Sequence, residues 1–300
     1  MTKLKTWVSA ARLRTLPLSV SGILVGSAIA AAENAFSYVI FSLALATTLG
    51  LQILSNFAND YGDFVKGTDN EERVGPQRAL QSGIISQKEM LYGMVITGVL
   101  TFLFAIALIY VSFGTQNFLY ALLFLVLGIA AISAAVKYTV GESAYGYRGL
   151  GDIFVFIFFG IVGVYGCYFL YTIEWEWKVL FPSFTIGALS AGVLNLNNMR
   201  DRTADERAGK NTLVVKIGAK KAKNYHYFLL ISAVFFLLLY TALSFESTDD
   251  LLYVIAFIPL FLHLKRVMEN RSPELLDPEL KKLALSTFAL AVFFSLGQIL

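Results

Sequence analysis

Two short polar segments of the chain carry asparagine and aspartate at helical spacing. In the first segment, Asn56, Asp60 and Asp63 stand at positions i, i+4 and i+7. Because an α-helix brings residues three and four apart to the same side, these side chains would share one face if the segment is helical. The first segment therefore predicts two neighbouring carboxylates with an amide beside them.

The second segment repeats this pattern farther along the chain. Asn197, Asp201 and Asp205 stand at i, i+4 and i+8. Each segment is followed by the sequence Glu-Arg-x-Gly, at 72–75 and at 206–209. The repetition hints at a duplicated unit of helices and predicts two acidic faces that work together.

Carboxylates placed this close repel each other unless a cation lies between them. Two unit charges about 6 Å apart repel by roughly 3 kcal/mol at an effective dielectric constant near 20, and a divalent cation reverses the sign of that interaction. Carboxylate and amide oxygens suit Mg²⁺, which characteristically bridges one or two carboxylates to substrate phosphates. Neither segment contains Cys or His, so zinc is not expected. The predicted metal ligands are Asp60, Asp63, Asp201 and Asp205.

A purely structural role for these acids is the alternative. In that interpretation they are solvated loop residues that pair with Arg200, Arg202 and Lys66, since charge runs are usually solvated faces. One segment alone would favour this alternative. Two segments with matched periodicity favour a site for a metal and a phosphate.

The chain that must position these segments is strongly apolar. Its 300 residues are 57% hydrophobic and only 15% charged, with a mean hydropathy of +0.65, whereas a soluble domain has about 25% charged residues. This composition excludes a disordered chain, a collagen, a disulfide scaffold and an ordinary nucleic-acid-binding protein. The single cysteine, Cys167, lies in an apolar run and is expected to be inert.

Nine apolar stretches are long enough, or nearly so, to cross a bilayer as helices. Lipid cannot satisfy open backbone hydrogen bonds, and the alternating pattern of barrel strands is missing from the sequence. We therefore expect an all-α integral membrane protein with nine transmembrane helices in one bundle, a single domain over residues 1–300. The first and eighth stretches are short, and the eighth contains Pro259. The stretches are about Leu16–Ala32, Phe36–Ser55, Met90–Val111, Phe118–Val136, Ile153–Ile173, Val179–Leu196, Tyr225–Phe245, Leu251–Leu264 and Leu283–Leu300.

The basic residues predict which side of the membrane each loop occupies. With nine spans, 23 of the 24 Lys and Arg residues fall on the side of the N-terminus, and only Lys178 falls on the other. The N-terminus is therefore expected in the cytoplasm, and the basic charge indicates topology, not a nucleic-acid partner. The two long loops, about 56–89 and 197–224, lie on this side. Loops of that length usually have a function, so we expect the chemistry at the cytoplasmic face.

At the two acidic segments the chain resembles the UbiA superfamily of membrane prenyltransferases. That family has nine helices and two aspartate-rich motifs, which bind a polyprenyl diphosphate through Mg²⁺. The first family motif, N-D-x-x-D-x-x-x-D, is matched by Asn59-Asp60-x-x-Asp63, but Gly67 stands where the last Asp is expected. Asp69, two residues on, is the substitute that the resemblance suggests as a further metal ligand. The second motif, D-x-x-x-D, is matched by Asp201 and Asp205.

Other segments look like the branch of this family that acts on 1,4-dihydroxy-2-naphthoate. The resemblance implies that a prenyl group joins a ring carbon of this acceptor with loss of CO₂ and diphosphate, giving demethylmenaquinone, in the cytoplasmic membrane of a bacterium. The lipid bilayer would hold the prenyl tail. The segments that carry this resemblance are Asn56-Phe-Ala-Asn-Asp-Tyr-Gly-Asp63, Gly75-Pro-Gln-Arg-Ala79, Tyr138-Thr-Val-Gly141, Tyr145-Gly-Tyr-Arg-Gly-Leu-Gly-Asp152 and Arg12-x-Arg-Thr-Leu-Pro17.

The implied chemistry suggests roles for side chains around the metal ligands. Basic side chains would help to neutralise the diphosphate, tyrosine rings would stabilise an allylic cation, and Arg148 or Asp152 would serve the acceptor. Arg12 and Arg14 are interpreted as membrane anchors, and His226 and His263 as structural residues. The expected catalytic and substrate-binding residues, besides the four metal-binding aspartates, are Lys66, Arg148, Asn56, Asn59, Asn197, Asn198, Arg78, Lys137, Lys210, Tyr138, Tyr145, Tyr147 and Asp152.

Two other functions remain open at this point. The first is prenylation of another acceptor by the same family: 4-hydroxybenzoate, haem, chlorophyllide or homogentisate. The second is a cation-coupled transporter that uses the acids as ion ligands. Transporters place such ligands near the middle of the membrane, whereas these acids cluster at one face.

Overall fold

The structure, a computed structural model, describes residues 2–68 and 77–300 apart from the side chain of Arg14. Within these residues the secondary structure is helical and includes no strand, which confirms the predicted all-α class. The α-helices are α1 (Lys3–Ala11), α2 (Leu16–Ala32), α3 (Tyr38–Val65), α4 (Gln87–Phe113), α5 (Phe118–Lys137), α6 (Gly151–Val155), α7 (Cys167–Thr172), α8 (Leu180–Arg207), α9 (Leu213–Ser244), α10 (Phe257–Glu269) and α11 (Asp277–Ile299).

Eight helices of the described chain are long and apolar enough to cross a membrane. The pair α1 and α2, bent by 47°, would make a ninth if it forms one span. The bounds of α2 agree with the predicted stretch, but α1 was not predicted. Its Trp7 ring packs edge-on against Phe57 of α3, with ring centroids 5.2 Å apart.

The two acidic segments are helical, as their spacing predicted. α3 continues ten residues past the predicted end of its span, to Val65, and α8 continues to Arg207. The segments 56–89 and 197–224, expected as loops, therefore begin as helix, and residues 213–224 belong to α9. Polar side chains do not break a helix, so the end of an apolar stretch marks where a helix leaves the membrane and not where it ends.

The eighth predicted span is helical despite its proline. A 3₁₀ helix, Thr248–Ala256, leads directly into α10. Pro259 is the third residue of α10, in its first turn, where proline is tolerated. The span therefore stays helical through its proline.

α8 lies at the centre of the bundle. It packs against α9, α11 and the segment between α6 and α7. In the span that contains α8, 72% of the most apolar stretch is buried, compared with 6% for α5. The second acidic segment is thus held by the most enclosed helix.

A π-helix, Phe156–Gly166, joins α6 to α7 within one span. Small residues let its neighbours approach closely. A Cβ atom on Gly26 of α2 would lie 2.4 Å from the carbonyl oxygen of Val164, and one on Gly160 would lie 2.8 Å from Cα of Gly187 in α8. Close packing through glycine is typical of membrane helices, and π-helical turns are frequent at functional sites.

The two histidines of the chain contact each other. His226 of α9 and His263 of α10 have their Nε2 atoms 3.0 Å apart, and His263 Nδ1 lies 2.7 Å from Oε2 of Glu279 in α11. Both rings are fully buried. This chain of contacts ties three helices together.

Candidate active site

The first acidic segment ends α3 with a glycine in the left-handed region. Gly67 has a φ of 69°, its amide donates to the Phe64 carbonyl, and the Thr68 amide donates to the Asp63 carbonyl at 2.9 Å. This pair of hydrogen bonds is the Schellman motif, which favours glycine. It gives a physical reason for Gly67 at the position where the family motif has aspartate.

The second segment ends α8 in the same way. Gly209 has a φ of 70°, its amide donates to the Glu206 carbonyl, and the Lys210 amide donates to the Asp205 carbonyl at 2.8 Å. Asp63 and Asp205 therefore hold equivalent positions in the last turns of their helices. The same turn brings Lys210 back over the end of α8.

Asp63 and Asp205 meet around Lys210. The Nζ atom of Lys210 lies 3.8 Å from Asp63 Oδ1 and 3.6 Å from Asp205 Oδ1. Burial alone would lower the pKa of Lys210, but the Asp63 and Asp205 carboxylates outweigh burial and hold the pKa above its ordinary value. Two segments far apart in sequence thus share one charged lysine.

Asp60 is bound by two arginines. Arg12 Nη2 donates to Asp60 Oδ1 at 2.5 Å, and Arg78 Nη1 donates to the same oxygen at 2.9 Å. Arg12 follows α1 with a φ of 50°, a conformation that is uncommon for arginine. The interpretation of Arg12 as a membrane anchor is therefore wrong: its guanidinium contacts an acidic motif.

Asp201 is bound by the arginine before it. Arg200 donates from Nε and Nη2 to the two Asp201 oxygens, at 2.8 and 2.6 Å. The same guanidinium donates to Asn197 Oδ1 at 3.0 Å and to Asp277 of α11. Arg200 is itself buried, so this network joins α8 and α11 inside the protein.

The aspartates are buried and not solvated, contrary to the alternative of solvated loop acids, although the Arg200 pairing that this alternative expected is present at Asp201. Their exposed fractions are 1% for Asp60, 4% for Asp63, 7% for Asp201 and 4% for Asp205. Buried carboxylates need a cation or hydrogen-bond donors. Here arginines supply these donors to Asp60 and Asp201, while Asp63 and Asp205 share a lysine.

Tyr147 supports Asp63 with its hydroxyl group. Tyr147 Oη donates to Asp63 Oδ1 at 2.9 Å, and Thr68 Oγ1 lies 2.5 Å from the same hydroxyl. Lys66 Nζ lies over the ring, 3.9 Å from its centroid. Burial and the charge of Asp63 raise the pKa of Tyr147, so the hydroxyl keeps its proton.

A cavity of about 390 Å³ opens beside these groups. Its lining on α3 runs from Ala44 to Asp63, about 28 Å along the helix axis and close to the thickness of the hydrocarbon core. Charged and amide side chains line one end: Arg12, Asn56, Asn59, Asp63, Arg78, Asn197, Arg200, Lys210, Asp277 and Lys281. Apolar side chains line the rest, among them Leu108, Ile109, Phe124, Leu127, Phe158, Phe159, Val162 and Leu170.

Two of the predicted tyrosines line this cavity near its polar end. Tyr138 and Tyr145 pack edge to face, with ring centroids 5.3 Å apart. The loop that carries them is fixed to α3, because Thr139 Oγ1 donates to the Ala58 carbonyl at 2.9 Å. Tyr147, in contrast, contacts Asp63 and is not part of the cavity lining within the described residues.

The predicted asparagines fall into two groups. Asn56, Asn59 and Asn197 line the cavity. Asn56 Nδ2 donates to the Ala11 carbonyl at 2.9 Å, and Asn59 Oδ1 accepts from Thr139 at 3.3 Å. Asn198 follows Asn197 in the sequence and is buried, but it is not among the described residues that line the cavity.

Other predicted site residues do not line the cavity in the described part of the chain. Asp60, Asp201 and Asp205 bind lining residues without lining it themselves, and Lys66 is absent from the lining as well. Lys137 and Arg148 are exposed and do not line it in the described part of the chain. Asp152 is buried behind that lining, and neither of its carboxylate oxygens has a partner among the described residues. Asp69 lies outside the described residues, as does the Glu-Arg-x-Gly sequence at 72–75.

The oxygen atoms at the meeting point fit a magnesium ion. Across residues 2–68 and 77–300, no three Asp, Glu, His or Cys side chains form a cluster able to hold a metal. Mg²⁺ needs fewer, since one or two carboxylates and substrate phosphates commonly complete its shell. Asp205 Oδ2, at the meeting point, is buried without a hydrogen-bond partner in the described structure, and so is Asn198 Oδ1, about 10 Å earlier along α8. These are hard oxygen ligands of the kind that Mg²⁺ prefers.

The sequence did not single out some residues that line the polar end. The sequence pattern marks Arg12 only as an anchor and Arg200 only as a partner of the acids, and it does not mark Asp277 and Lys281 of α11, yet all four line the cavity. Asp277 and Lys281 are spaced at i and i+4, so they share a face of α11. Spacing alone does not say which face of a membrane helix borders a cavity.

Comparison with known proteins agrees with this architecture. A family model described as the UbiA prenyltransferase family matches residues 19–294. The chain is 42% identical to the 1,4-dihydroxy-2-naphthoate octaprenyltransferase of Haemophilus influenzae, over 99% of this chain and 97% of the relative. It is 39% identical to the protein of the same name from Escherichia coli, over 99% and 96% of the two chains.

A solved structure shares the fold. The UbiA homologue of Archaeoglobus fulgidus bound to DMAPP and Mg²⁺ superposes with a TM-score of 0.63 at 19% identity, over 98% of this chain and 99% of that chain. The family resemblance drawn from the sequence motifs is confirmed by the family model and by these relatives. The chain belongs to the UbiA prenyltransferase family and is a membrane prenyltransferase.

Proposed function

We propose that this enzyme transfers a polyprenyl group from polyprenyl diphosphate to 1,4-dihydroxy-2-naphthoate. The ring carbon that bears the carboxylate forms a bond to C1 of the prenyl group, and the diphosphate leaves with the electron pair of the broken C–O bond. Loss of CO₂ returns the electron pair of the broken C–C bond to the ring. The product is demethylmenaquinone in its reduced form, which contains no carboxylate.

The observation that carries this proposal is the two-ended cavity. At one end, Lys210 bridges Asp63 and Asp205 and offers charge to a diphosphate. From there, an apolar lining extends along most of α3 and suits a hydrocarbon tail. An ion transporter has no need for an apolar passage of this length. The acceptor follows from the names of the relatives, two of which are naphthoate octaprenyltransferases at about 40% identity.

Asp63 and Asp205 would hold Mg²⁺, because their carboxylates lie at the ends of the two acidic helices and both approach the same lysine. We propose that Asp60 and Asp201 complete the site and that Asp69 contributes from the first motif. Bound Mg²⁺ would neutralise the charge that grows on the leaving diphosphate. The structural relative bound to DMAPP and Mg²⁺ supports a metal in this family.

The side chains of the cavity carry out the rest of the reaction. Lys210 and Arg78 would contribute positive charge at the diphosphate end, and Lys66, which lies over the Tyr147 ring outside the cavity lining of the described residues, would add to it. Tyr138 and Tyr145 would present their rings to an allylic cation and exclude water from it. Lys137 and Arg148 receive no contact with substrate in this proposal, since they are exposed and lie outside the cavity lining of the described residues.

We propose that the chain forms one domain over residues 1–300 with nine spans and a cytoplasmic N-terminus. The polar end of the cavity would then face the cytoplasm, in the inner membrane of a bacterium. The distribution of basic residues supports this arrangement, since only Lys178 falls on the opposite side. A soluble diphosphate product would be released directly to the cytoplasm.

The test is a reaction of the purified full-length protein in detergent micelles with Mg²⁺, a polyprenyl diphosphate and a panel of aromatic acids. We expect a prenylated, decarboxylated product from the naphthoate alone, identified by its mass. EDTA should abolish the reaction, and added Mg²⁺ should restore it. Asp63→Asn and Asp205→Asn should each lower kcat at least about 100-fold, the range for loss of one transition-state charge partner.

Glu206→Gln is the matched control for these variants. It removes a carboxylate next to Asp205 that is exposed and, among the described residues, forms an ion pair with Arg202 alone, at 3.5 Å. This variant should keep its activity. Full turnover in EDTA, or a product only from 4-hydroxybenzoate, would contradict the proposal.

A further inference from the structure

The positive side chains that line the cavity differ in whether they have an acidic partner. Arg12 and Arg78 bind Asp60. Arg200 binds Asp201 and Asp277, and Lys210 lies between Asp63 and Asp205. Lys281 lines the same cavity but has no ion pair or hydrogen bond within the part of the chain that the structure describes.

Lys281 lies on the wall formed by α8 and α11. The Arg200–Asp277 ion pair fixes the level at which these helices meet. Lys281 follows Asp277 by four residues, about 6 Å farther into the bundle. Leu280 and Ala284 of α11 line the cavity beside it. The lysine charge is therefore bordered by an apolar surface.

The facing side of α8 offers matching polar groups. Ser190, Leu194 and Asn197 line the cavity from this helix. The Ser190 hydroxyl is buried, with 1% of the residue exposed, and has no hydrogen-bond partner in the described structure. Counted from the Arg200–Asp277 pair, Ser190 lies about 9 Å deeper than Lys281. A cation, an apolar surface and a free hydroxyl are thus arranged along one wall.

We propose that this wall binds the aromatic acceptor, with its carboxylate on Lys281. The rings pack against Leu194, Leu280 and Ala284, and the ring hydroxyl groups bond to Ser190 or Asn197. This inference rests on the proposed function, since it assumes a carboxylated aromatic acceptor. It adds a specificity-determining residue on α11, a helix that carries neither aspartate-rich motif.

The surroundings of Lys281 favour a carboxylate over a diphosphate as its ligand. The diphosphate end already holds Lys210, Lys66 and Arg78 near the aspartates of both motifs. Lys281 stands apart as one positive charge on an apolar wall, which matches the single charge and flat rings of an aromatic acid. The Lys281 side chain is exposed, so its charge is accessible to a carboxylate that enters the cavity, whereas an acceptor without a carboxylate gains nothing from it.

The experiment measures binding of two acceptor analogues to the full-length protein in detergent micelles. The first, 1-hydroxy-2-naphthoate, carries a carboxylate, and the second, 1-naphthol, does not. The wild-type protein should bind the naphthoate more tightly. Lys281→Met should weaken naphthoate binding about 10- to 100-fold, the range for one charge-assisted hydrogen bond, and leave naphthol binding unchanged. Lys281→Arg should recover most of the difference.

Kinetics separate this inference from the proposed function. In Lys281→Met the KM for 1,4-dihydroxy-2-naphthoate should rise while the KM for the prenyl diphosphate stays constant. Lys282→Met is the matched control. Lys282 is the next residue in the chain, but it binds Glu279 and does not line the cavity among the described residues. If the wild-type enzyme makes the naphthoate product but Lys281→Met still prefers the carboxylated analogue, only this inference is overturned. A raised KM for the diphosphate would overturn it as well.

Discussion

Among single residues, Tyr147 contributes to the site through its hydroxyl group and not, as expected for a tyrosine beside an allylic cation, through its ring. Its ring was expected to face an allylic cation. Instead Lys66 covers the ring, and the hydroxyl donates to Asp63 while it contacts Thr68. The hydroxyl therefore orients a carboxylate of the proposed metal site. Partners of this kind around a metal ligand typically change affinity or activity 10- to 100-fold.

We expect Tyr147→Phe to lower kcat/KM about 10- to 100-fold, because it removes a hydrogen bond to a charged group. The Mg²⁺ concentration needed for half-maximal activity should also rise, which a steady-state titration measures. Tyr147→Leu should lower kcat/KM only slightly more than Tyr147→Phe, since the ring itself does not face the substrate. If phenylalanine is tolerated and leucine is not, the ring matters and the hydroxyl does not.

Tyr240→Phe is the matched control for this loss of a hydroxyl. Tyr240 Oη donates to Gln298 at 2.9 Å, and neither residue lines the cavity within the described chain. The variant should therefore retain the kinetics of the wild-type enzyme. Comparing the two variants separates an effect on the site from a general loss of packing.

The sequence predicts the acids of the site better than their counter-charges. Helical periodicity places Asp60 and Asp63 on one face, because the positions of residues three apart depend only on the helix that contains them. Arg12 binds Asp60 across 48 positions of the chain, and Lys281 lies on a helix with no motif. Such pairs depend on how the helices pack, which spacing within one segment does not reveal. The same is true of His226 and His263, whose contact joins two helices.

At the scale of whole elements, the ends of α3 and α8 determine how the two motifs meet. Both helices end with glycine at a φ near 70°, and both place an aspartate at the same position of the last turn. In α8 this turn returns the chain so that Lys210 lies over Asp205. The local geometry of one glycine therefore positions the lysine that joins the motifs.

We expect Gly209→Ala to lower both stability and activity. A left-handed conformation costs a residue with a Cβ atom about 1–2 kcal/mol, so the last turn of α8 should rearrange and move Lys210. The midpoint of thermal unfolding in detergent and kcat/KM should fall together. Gly209→Asn is the matched comparison, because asparagine adopts this conformation more readily, and it should lie between the wild type and alanine. Equal behaviour of alanine and glycine would contradict this role of the turn.

Hydropathy predicts the apolar spans well and their irregularities poorly. α2 has the predicted bounds because apolar length alone defines a span. α1 was missed because it is a short helix outside the apolar stretches, and the π-helix at Phe156–Gly166 was missed because its composition is that of any span. A Cβ atom on Gly22 or on Gly187 would lie 2.9 Å from a carbonyl oxygen of this π-helix, and only the packed bundle brings these helices together.

For the molecule as a whole, the number of membrane spans determines on which side of the membrane each terminus lies. Eight helices of the described residues qualify individually, and the bent pair of α1 and α2 makes nine if it crosses the membrane. An odd number puts the termini on opposite sides, whereas an even number puts them on the same side. The position of the two termini therefore tests the proposed topology directly.

We expect single cysteines at Thr2 and Leu300 to react from opposite sides of the membrane. Cys167 is the one cysteine of the chain and is buried. Replacing it in Cys167→Ser removes a competing thiol from the background of these variants. In intact spheroplasts an impermeant maleimide should label Leu300→Cys and Lys178→Cys but not Thr2→Cys or Lys265→Cys. Disrupted membranes should label all four. Labelling of Thr2→Cys and Leu300→Cys from the same side would exclude nine spans, and labelling of Lys265→Cys from outside would reverse the proposed orientation of the site.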